Sequence, residues 1–391
     1  MKKRNKKTVK IESLFTPLSS VFAILVGLLL GFIIMLVSNP SQALSGFSLV
    51  LKGGFEDGLA GIGKVLYLAT PIMMTGLSVG FAFKTGLFNI GASGQFIVGA
   101  FAAVFVGVKG KEIPPNLHWI VALAAAMICG GLWGAVPGIL KALFNVHEVI
   151  ASIMMNYIGM SLVNLLVTKT VYDRFTNRSY PVMASANIPK WGLNKIFPFN
   201  STNGGILIAL FFVLLVHIVL NKTTFGFELK ACGHNPYAGK YAGISAKRNI
   251  VLSMVIAGML SGIGGGLDYL SGAGKFIQVV DVLAPEGFNG IPVALLGLSS
   301  PIGILFSSIF IANITAGGFN LQQYRFVPEV ISIITASIIY FSAFSLLFKG
   351  LLDKYVLGKK KGNDGGDEAD DEEFGKKVEE DVEVLRGGEE G

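Results

Sequence analysis

Long uncharged runs separated by short polar segments dominate this chain, and the pattern predicts helices that cross a bilayer. About 17–25 apolar residues are needed to span roughly 30 Å of hydrocarbon. Runs of that kind lie at 19–38, 65–83, 86–108, 119–140, 149–168, 204–220, 250–267 and 330–348. Residues 279–318 are also apolar, but Pro285, Pro292 and Pro301 with Gly287, Gly290, Gly297 and Gly303 divide them into shorter pieces, 287–298 and 302–316. Proline lacks the amide hydrogen a helix needs, and glycine loses the most backbone freedom on ordering. The pattern predicts an all-α integral membrane protein, a polytopic helical bundle of about ten transmembrane segments, with nine as the plainer alternative.

Charge sets the orientation of these runs. Residues 1–10 hold six Lys or Arg, which keep the start of the chain on the cytosolic side. Lys349, Lys354 and Lys359–Lys361 place the end of the last run there too, so the number of crossings is even. Both termini are expected in the cytosol. A connection at 169–203, the longest polar one between runs, then lies outside, and residues 221–249 lie inside.

The 221–249 segment is the most sharply punctuated part of the chain. Asn235 suits an N-cap, Pro236 a first helical position and Gly243 a left-handed stop, so a short helix is expected at 236–242. Tyr237 and Tyr241, four apart, share one face, and Lys240 sits at its edge. Such a helix suits docking to another protein; the alternative is an ordinary turn between spans.

Composition narrows the function classes. With 52% hydrophobic and only 15% charged residues, a soluble fold is excluded. The net charge of +7 hides a split, because from Asn363 onward acidic residues outnumber basic ones thirteen to three. This tail is expected to be disordered. The basic remainder brackets apolar runs, which favours anionic lipid and argues against nucleic acid. The chain thus divides into a basic cytosolic N-terminus (1–18), a transmembrane domain (19–352) and a cytosolic tail (353–391). Cys129 and Cys232 are too few for a disulfide framework, and His118, His147, His217 and His234 have no metal-ligand spacing, so no metal or cofactor is expected. Gly130, Gly134 and Gly138 recur at four-residue steps and predict close helix packing.

No enzymatic site emerges. Each Gly-Lys pair, at Gly63, Gly110, Gly239, Gly274, Gly358 and Gly375, lacks the Ser or Thr of a phosphate-binding loop. The spans hold almost no ionisable groups, which argues against a proton- or sodium-coupled transporter. Polar uncharged residues gather twice. Asn89, Ser93 and Gln95 follow one another in FNIGASGQ, where glycines loosen the helix into a broken or re-entrant segment. Glu148, Ser152 and Asn156 recur every four residues as one stripe. Both sets face protein or water, since unpaired amides in lipid are costly; they line a substrate pathway or hold the bundle together.

Four blocks carry a resemblance: GLFNIGASGQFIVGAF from Gly86, EVIASIMMNYIG from Glu148, ACGHNPYAGKYAGI from Ala231 and GFNGIPVALLG from Gly287. In combination they resemble the membrane permease family of ABC importers that includes ribose-type sugar, branched-chain amino acid and nucleoside systems, most of all the nucleoside permeases of Gram-positive bacteria. One departure is Gly239, where the family often has alanine. The resemblance implies a permease subunit of an ATP-driven nucleoside importer without a nucleotide site of its own. It also implies an ABC ATPase subunit, an extracellular substrate-binding lipoprotein and a second permease subunit as partners. Asn235, Pro236, Tyr237, Lys240, Tyr241 and Gly243 would form the cytosolic coupling helix. Ribose-type sugars or branched-chain amino acids are the alternative cargo, and a secondary transporter working alone or a membrane scaffold are the alternative machines.

Overall fold

The structure, a computed structural model, describes residues 6–343 apart from 200, 236–238, 240, 325 and 327. The acidic tail and the closing basic residues expected at 353–391 lie outside the described residues, as do Pro236, Tyr237 and Lys240 and the end of the run expected at 330–348. The chain divides into two units, one of Met1–Val21 with Leu346–Gly391 and one of Phe22–Ser345; the second carries the bundle described below.

Helices follow one another almost without interruption: α1 (Lys6–Ser38), α2 (Ala43–Lys52), α3 (Gly58–Lys84), α4 (Ala92–Lys109), α5 (Pro115–Phe144), α6 (Glu148–Thr170), α7 (Leu193–Ile196), α8 (Gly205–Lys222), α9 (Thr224–His234), α10 (Ala246–Tyr269), α11 (Pro285–Leu296), α12 (Pro301–Asn320) and α13 (Pro328–Ala343). Among the described residues, seven are long and apolar enough to cross a membrane: α3, α4, α5, α6, α8, α10 and α12. The all-α membrane bundle expected from the hydrophobic pattern is what the chain forms.

Local chemistry explains several boundaries. Pro115 opens α5 at a position whose amide would be unpaired in any case, and Asn145 closes it in the left-handed region at φ 53°. His147 caps α6 by accepting from the Val149 amide at 3.4 Å, with Glu148 in the first turn beside the positive helix end. The expected second span begins earlier, at Gly58, and the third begins later, at Ala92, because residues 86–91 are not helical. The short helix α2 was not signalled, since its ten residues fall below spanning length. Connection 169–203 carries a two-residue hairpin, Tyr172–Asp173 with Arg178–Ser179, as well as α7.

At the centre of the bundle lies α10, whose glycines let three backbones meet. A Cβ at Gly130 of α5 would stand 2.7 Å from Gly262 Cα, and one at Gly138 would stand 2.9 Å from Met254 Cβ. On the other side, a Cβ at Gly99 of α4 would reach within 2.7 Å of Gly262 O. The small-residue steps of α5 are therefore a packing face against α10. α3 is the other buried helix, with Met73, Met74, Leu77 and Phe81 all at 0–1% exposure.

Two helices are interrupted. α4 starts only after the non-helical segment 86–91. α11 has twelve residues, about 18 Å at 1.5 Å per residue, too short to cross alone. The loop 271–284 ahead of it is fixed at both ends: Lys275 pairs with Asp268 at the end of α10, and Gly287 at the start of α11 packs against Ser93.

Candidate functional site

The interruption at 86–91 is held by an amide network. Asn89 Nδ2 donates to Gln95 Oε1 at 2.8 Å, and Gln95 Nε2 donates back to Asn89 Oδ1 at 3.0 Å. Asn89 Nδ2 also donates to Ser78 Oγ on α3 at 3.0 Å. From α6, Asn156 Oδ1 accepts from the Gly94 amide at 2.8 Å while its Nδ2 donates to Ile90 O at 3.1 Å. Asn89, Gln95 and Asn156 are at most 1% exposed. A chain that leaves its helix inside a bundle must find partners for its freed backbone groups, and Asn156 supplies both.

Ser93 joins this network to the second interrupted helix. Its hydroxyl donates to Ala284 O at 2.8 Å, and Thr75 Oγ1 of α3 donates to Glu286 O at 3.1 Å. A Cβ on Gly287 would stand 2.7 Å from the Ser93 amide nitrogen, so the N-terminal ends of α4 and α11 abut. Both carry partial positive charge from unpaired amides. Two interrupted helices thus meet with their positive ends in the bundle interior.

Below the interruption the stripe of α6 continues through Ser152, fully buried, to Glu148. Glu148 Oε2 stands 3.1 Å from Lys141 Nζ of α5. Here a cavity of about 200 Å³ opens, lined by Thr85, Gly86, Leu87, Lys141, Glu148, Leu229, Cys232, Gly233, Ala246, Asn249 and Ile250. The structure thus places Asn89, Ser93, Gln95 and Asn156 in one cluster and Glu148 beneath it, with Ser152 between.

At the opposite end of α10 sits a charge cluster that the sequence pattern did not signal. Lys275 Nζ donates to both carboxylate oxygens of Asp268 at 2.7 Å and lies 3.7 Å from Glu286 Oε1. Asp268 is only 2% exposed. Lys275 sits in a polar loop with no helical spacing to Asp268, so only a count of buried acids needing partners could have pointed to it.

The polar segment after α8 is more helical than its punctuation suggests. Thr223 caps α9 by accepting from the Gly226 amide at 3.0 Å, and Arg248 Nη2 donates to Glu228 Oε2 at 2.9 Å, bracing α9 against the start of α10. Of the six residues expected in the docking helix, Asn235, Tyr241 and Gly243 are described. The Gly239 amide donates to Asn235 O at 3.0 Å, one helical turn, and the Ile244 amide donates to Gly239 O at 3.0 Å. That closing bond with Gly243 at φ 76° is the six-to-one pattern of a left-handed helix stop. Tyr241 is 95% exposed.

Sequence comparison extends these observations. A family model described as branched-chain amino acid transport system / permease component matches residues 61–345. The chain is 39% identical to the guanosine ABC transporter permease protein NupP of Bacillus subtilis, over 90% of this chain and 98% of that protein. It is 35% identical to the nucleoside ABC transporter permease protein NupB of Lactococcus lactis, over 90% and 95% of the two chains. Similarity to the glucose ABC transporter permease protein TsgB13 of Haloferax volcanii is 30% over 78% and 81%. No solved structure matches.

Proposed function

Because the chain belongs to the branched-chain amino acid transport system permease family, we propose that it is the membrane-spanning permease subunit of an ATP-driven importer and that its cargo is a nucleoside. The observation that carries this reading is the similarity to guanosine and nucleoside permeases along nine-tenths of the chain. The site chemistry agrees with it: amides and hydroxyls without net charge suit a neutral, hydroxyl-bearing solute, whereas a zwitterion would need a partner for each charged end.

Ten crossings accommodate the bundle, namely the seven long helices with α1, α13 and the loop 271–284 joined to α11. Both ends then lie in the cytosol, and so does the turn at 235–243. Asn235, Pro236, Tyr237, Lys240, Tyr241 and Gly243 form the coupling helix that enters an ABC ATPase subunit, and exposed Tyr241 is its leading contact. An extracellular binding lipoprotein delivers substrate, and a second permease subunit completes the pathway. NupQ of Bacillus subtilis, 26% identical over 68% of this chain, fits such a paralogue.

ATP-driven motion of the coupling helix passes through α9 and α10 to the interrupted helices. There Asn89 and Gln95 exchange their mutual hydrogen bonds, and Ser93 and Asn156 their bonds to the backbone, for bonds to substrate; Ser152 adds its buried hydroxyl, and Glu148 marks the inner end of the path. Uptake of labelled guanosine in cells from which this chain and its paralogues are deleted tests the cargo. Loss of uptake, restored by the intact gene, supports it; unchanged uptake refutes it.

A further inference from the structure

We propose that the cavity beneath residues 86–91 is the last station of the substrate on its way to the cytosol and that it reads the hydrogen-bond-donating edge of a nucleobase. This deepens the nucleoside reading and rests on it. The cavity, about 200 Å³, falls below the roughly 300 Å³ at which pockets for drug-sized ligands begin, so it suits a base better than a whole nucleoside.

Two buried acceptors face it, and one of them lacks a partner. Asn249, 1% exposed, donates through Nδ2 to Cys232 Sγ at 3.6 Å, which leaves its Oδ1 unpartnered. Glu148 Oε2 is buried as well and faces the same cavity, paired with Lys141 Nζ at 3.1 Å. A buried acceptor without a donor is destabilising, so the Asn249 oxygen marks a place that a donor fills, with the Glu148 carboxylate beside it. An ionised carboxylate only accepts, and an amide oxygen only accepts. The complementary ligand offers several N–H groups along one edge, as guanine does through its ring N–H and exocyclic amine.

Position explains why this station matters. Thr85, Gly86 and Leu87 at its roof lead directly into the amide network, and Thr85 shares a hydroxyl–hydroxyl bond with Ser253 of α10. Cys232 and Asn249 on its floor belong to the elements on either side of the turn at 235–243. A base seated here touches the interrupted helix and the bracket of the coupling helix at once, so release is linked to the stroke of the ATPase.

The test uses the assembled importer in lipid nanodiscs, with guanosine and purine riboside as probes; the latter keeps the ring and sugar but has no donor on the base. Alkylation of Cys232 by N-ethylmaleimide, followed by peptide mass spectrometry, is expected to slow severalfold with guanosine and little with purine riboside. In proteoliposomes the intact importer is expected to prefer guanosine, and Asn249→Leu and Glu148→Gln are each expected to lower the guanosine-to-purine-riboside ratio by about tenfold. The two variants guard against misfolding of either one, and a monodisperse elution profile with the ATPase subunit bound shows that each variant is assembled. If the importer carries both nucleosides but Cys232 is unprotected and neither variant changes the ratio, the station is wrong and the nucleoside assignment stands. If the intact importer carries neither, both fall.

Discussion

Asn89 and Gln95 exchange two hydrogen bonds, at 2.8 and 3.0 Å, across the interruption that precedes α4. The pair is fully buried, and each amide satisfies the other where the backbone has left its helix. Replacing one member strands the other.

Asn89→Ala is therefore expected to lower stability by about 1–3 kcal/mol, the desolvation of an unpaired buried amide. The double change to Asn89→Leu with Gln95→Leu removes both partners and is expected to recover much of that loss while leaving transport abolished. Thermal unfolding in detergent alongside uptake separates the two effects; a double variant that still transports would show the amides to be structural only.

A second expectation concerns Lys275, which clamps Asp268 at 2.7 Å. Lys275→Met leaves a carboxylate buried without its counter-ion and is expected to destabilise by about 3 kcal/mol, the lower part of the range for broken buried pairs because the lysine is partly exposed. At neutral pH the melting temperature of Lys275→Met should fall a few degrees below that of the intact protein, whereas Lys275→Arg, which keeps a cation beside Asp268, should lose less. A Lys275→Met variant that melts with the intact protein contradicts the pairing.

A third expectation concerns the turn at 235–243. Gly243 has φ 76°, so Gly243→Val forces a β-branched residue into the left-handed region and should undo the helix stop. Gly239→Ala, whose Cβ would lie 3.4 Å from Cys232 Sγ, fits at ordinary contact distance and should stiffen the helix by up to about 1 kcal/mol. Co-purification with the ATPase should be weakened by Gly243→Val and by Tyr241→Ala, and kept or strengthened by Gly239→Ala. Equal co-purification of all three removes the turn from the docking surface.

A fourth expectation tests the packing of α5 on α10. A leucine at Gly262 must displace the backbone of Gly130, whose Cα lies 2.9 Å from the position of the added Cβ. Gly262→Leu should prevent accumulation of the folded protein, whereas Leu132→Ala, at a side chain 65% exposed on the same α5, should accumulate normally. Size-exclusion profiles of the two variants check this, and a monodisperse Gly262→Leu contradicts it.

The seven long helices were legible because burial in lipid demands long uncharged runs, and the break at 86–91 because its glycines stand where a helix would otherwise continue. The meeting of α4 and α11 was not legible: Ser93 and Ala284 are 191 residues apart, and nothing local encodes their bond. Asn249 and Lys141 were missed for a related reason. Each looks like an ordinary polar residue at a helix end, and only the fold turns the two toward one cavity. α9 was hidden by the Gly and Asn that follow it, which punctuate its end and not its body. Exposure of Tyr241, by contrast, follows directly from its place in a polar turn.

The central claim is that a bundle without a nucleotide site moves nucleosides when a separate ATPase drives it from the cytosolic side. Accumulation of labelled guanosine in proteoliposomes is the most direct measurement of it, made with this chain alone and with its ATPase, paralogue and binding lipoprotein. The account predicts uptake against a gradient only in the complete assembly and only with ATP on the side of the 235–243 turn. Concentrative uptake by the chain alone, or uptake indifferent to ATP, contradicts it.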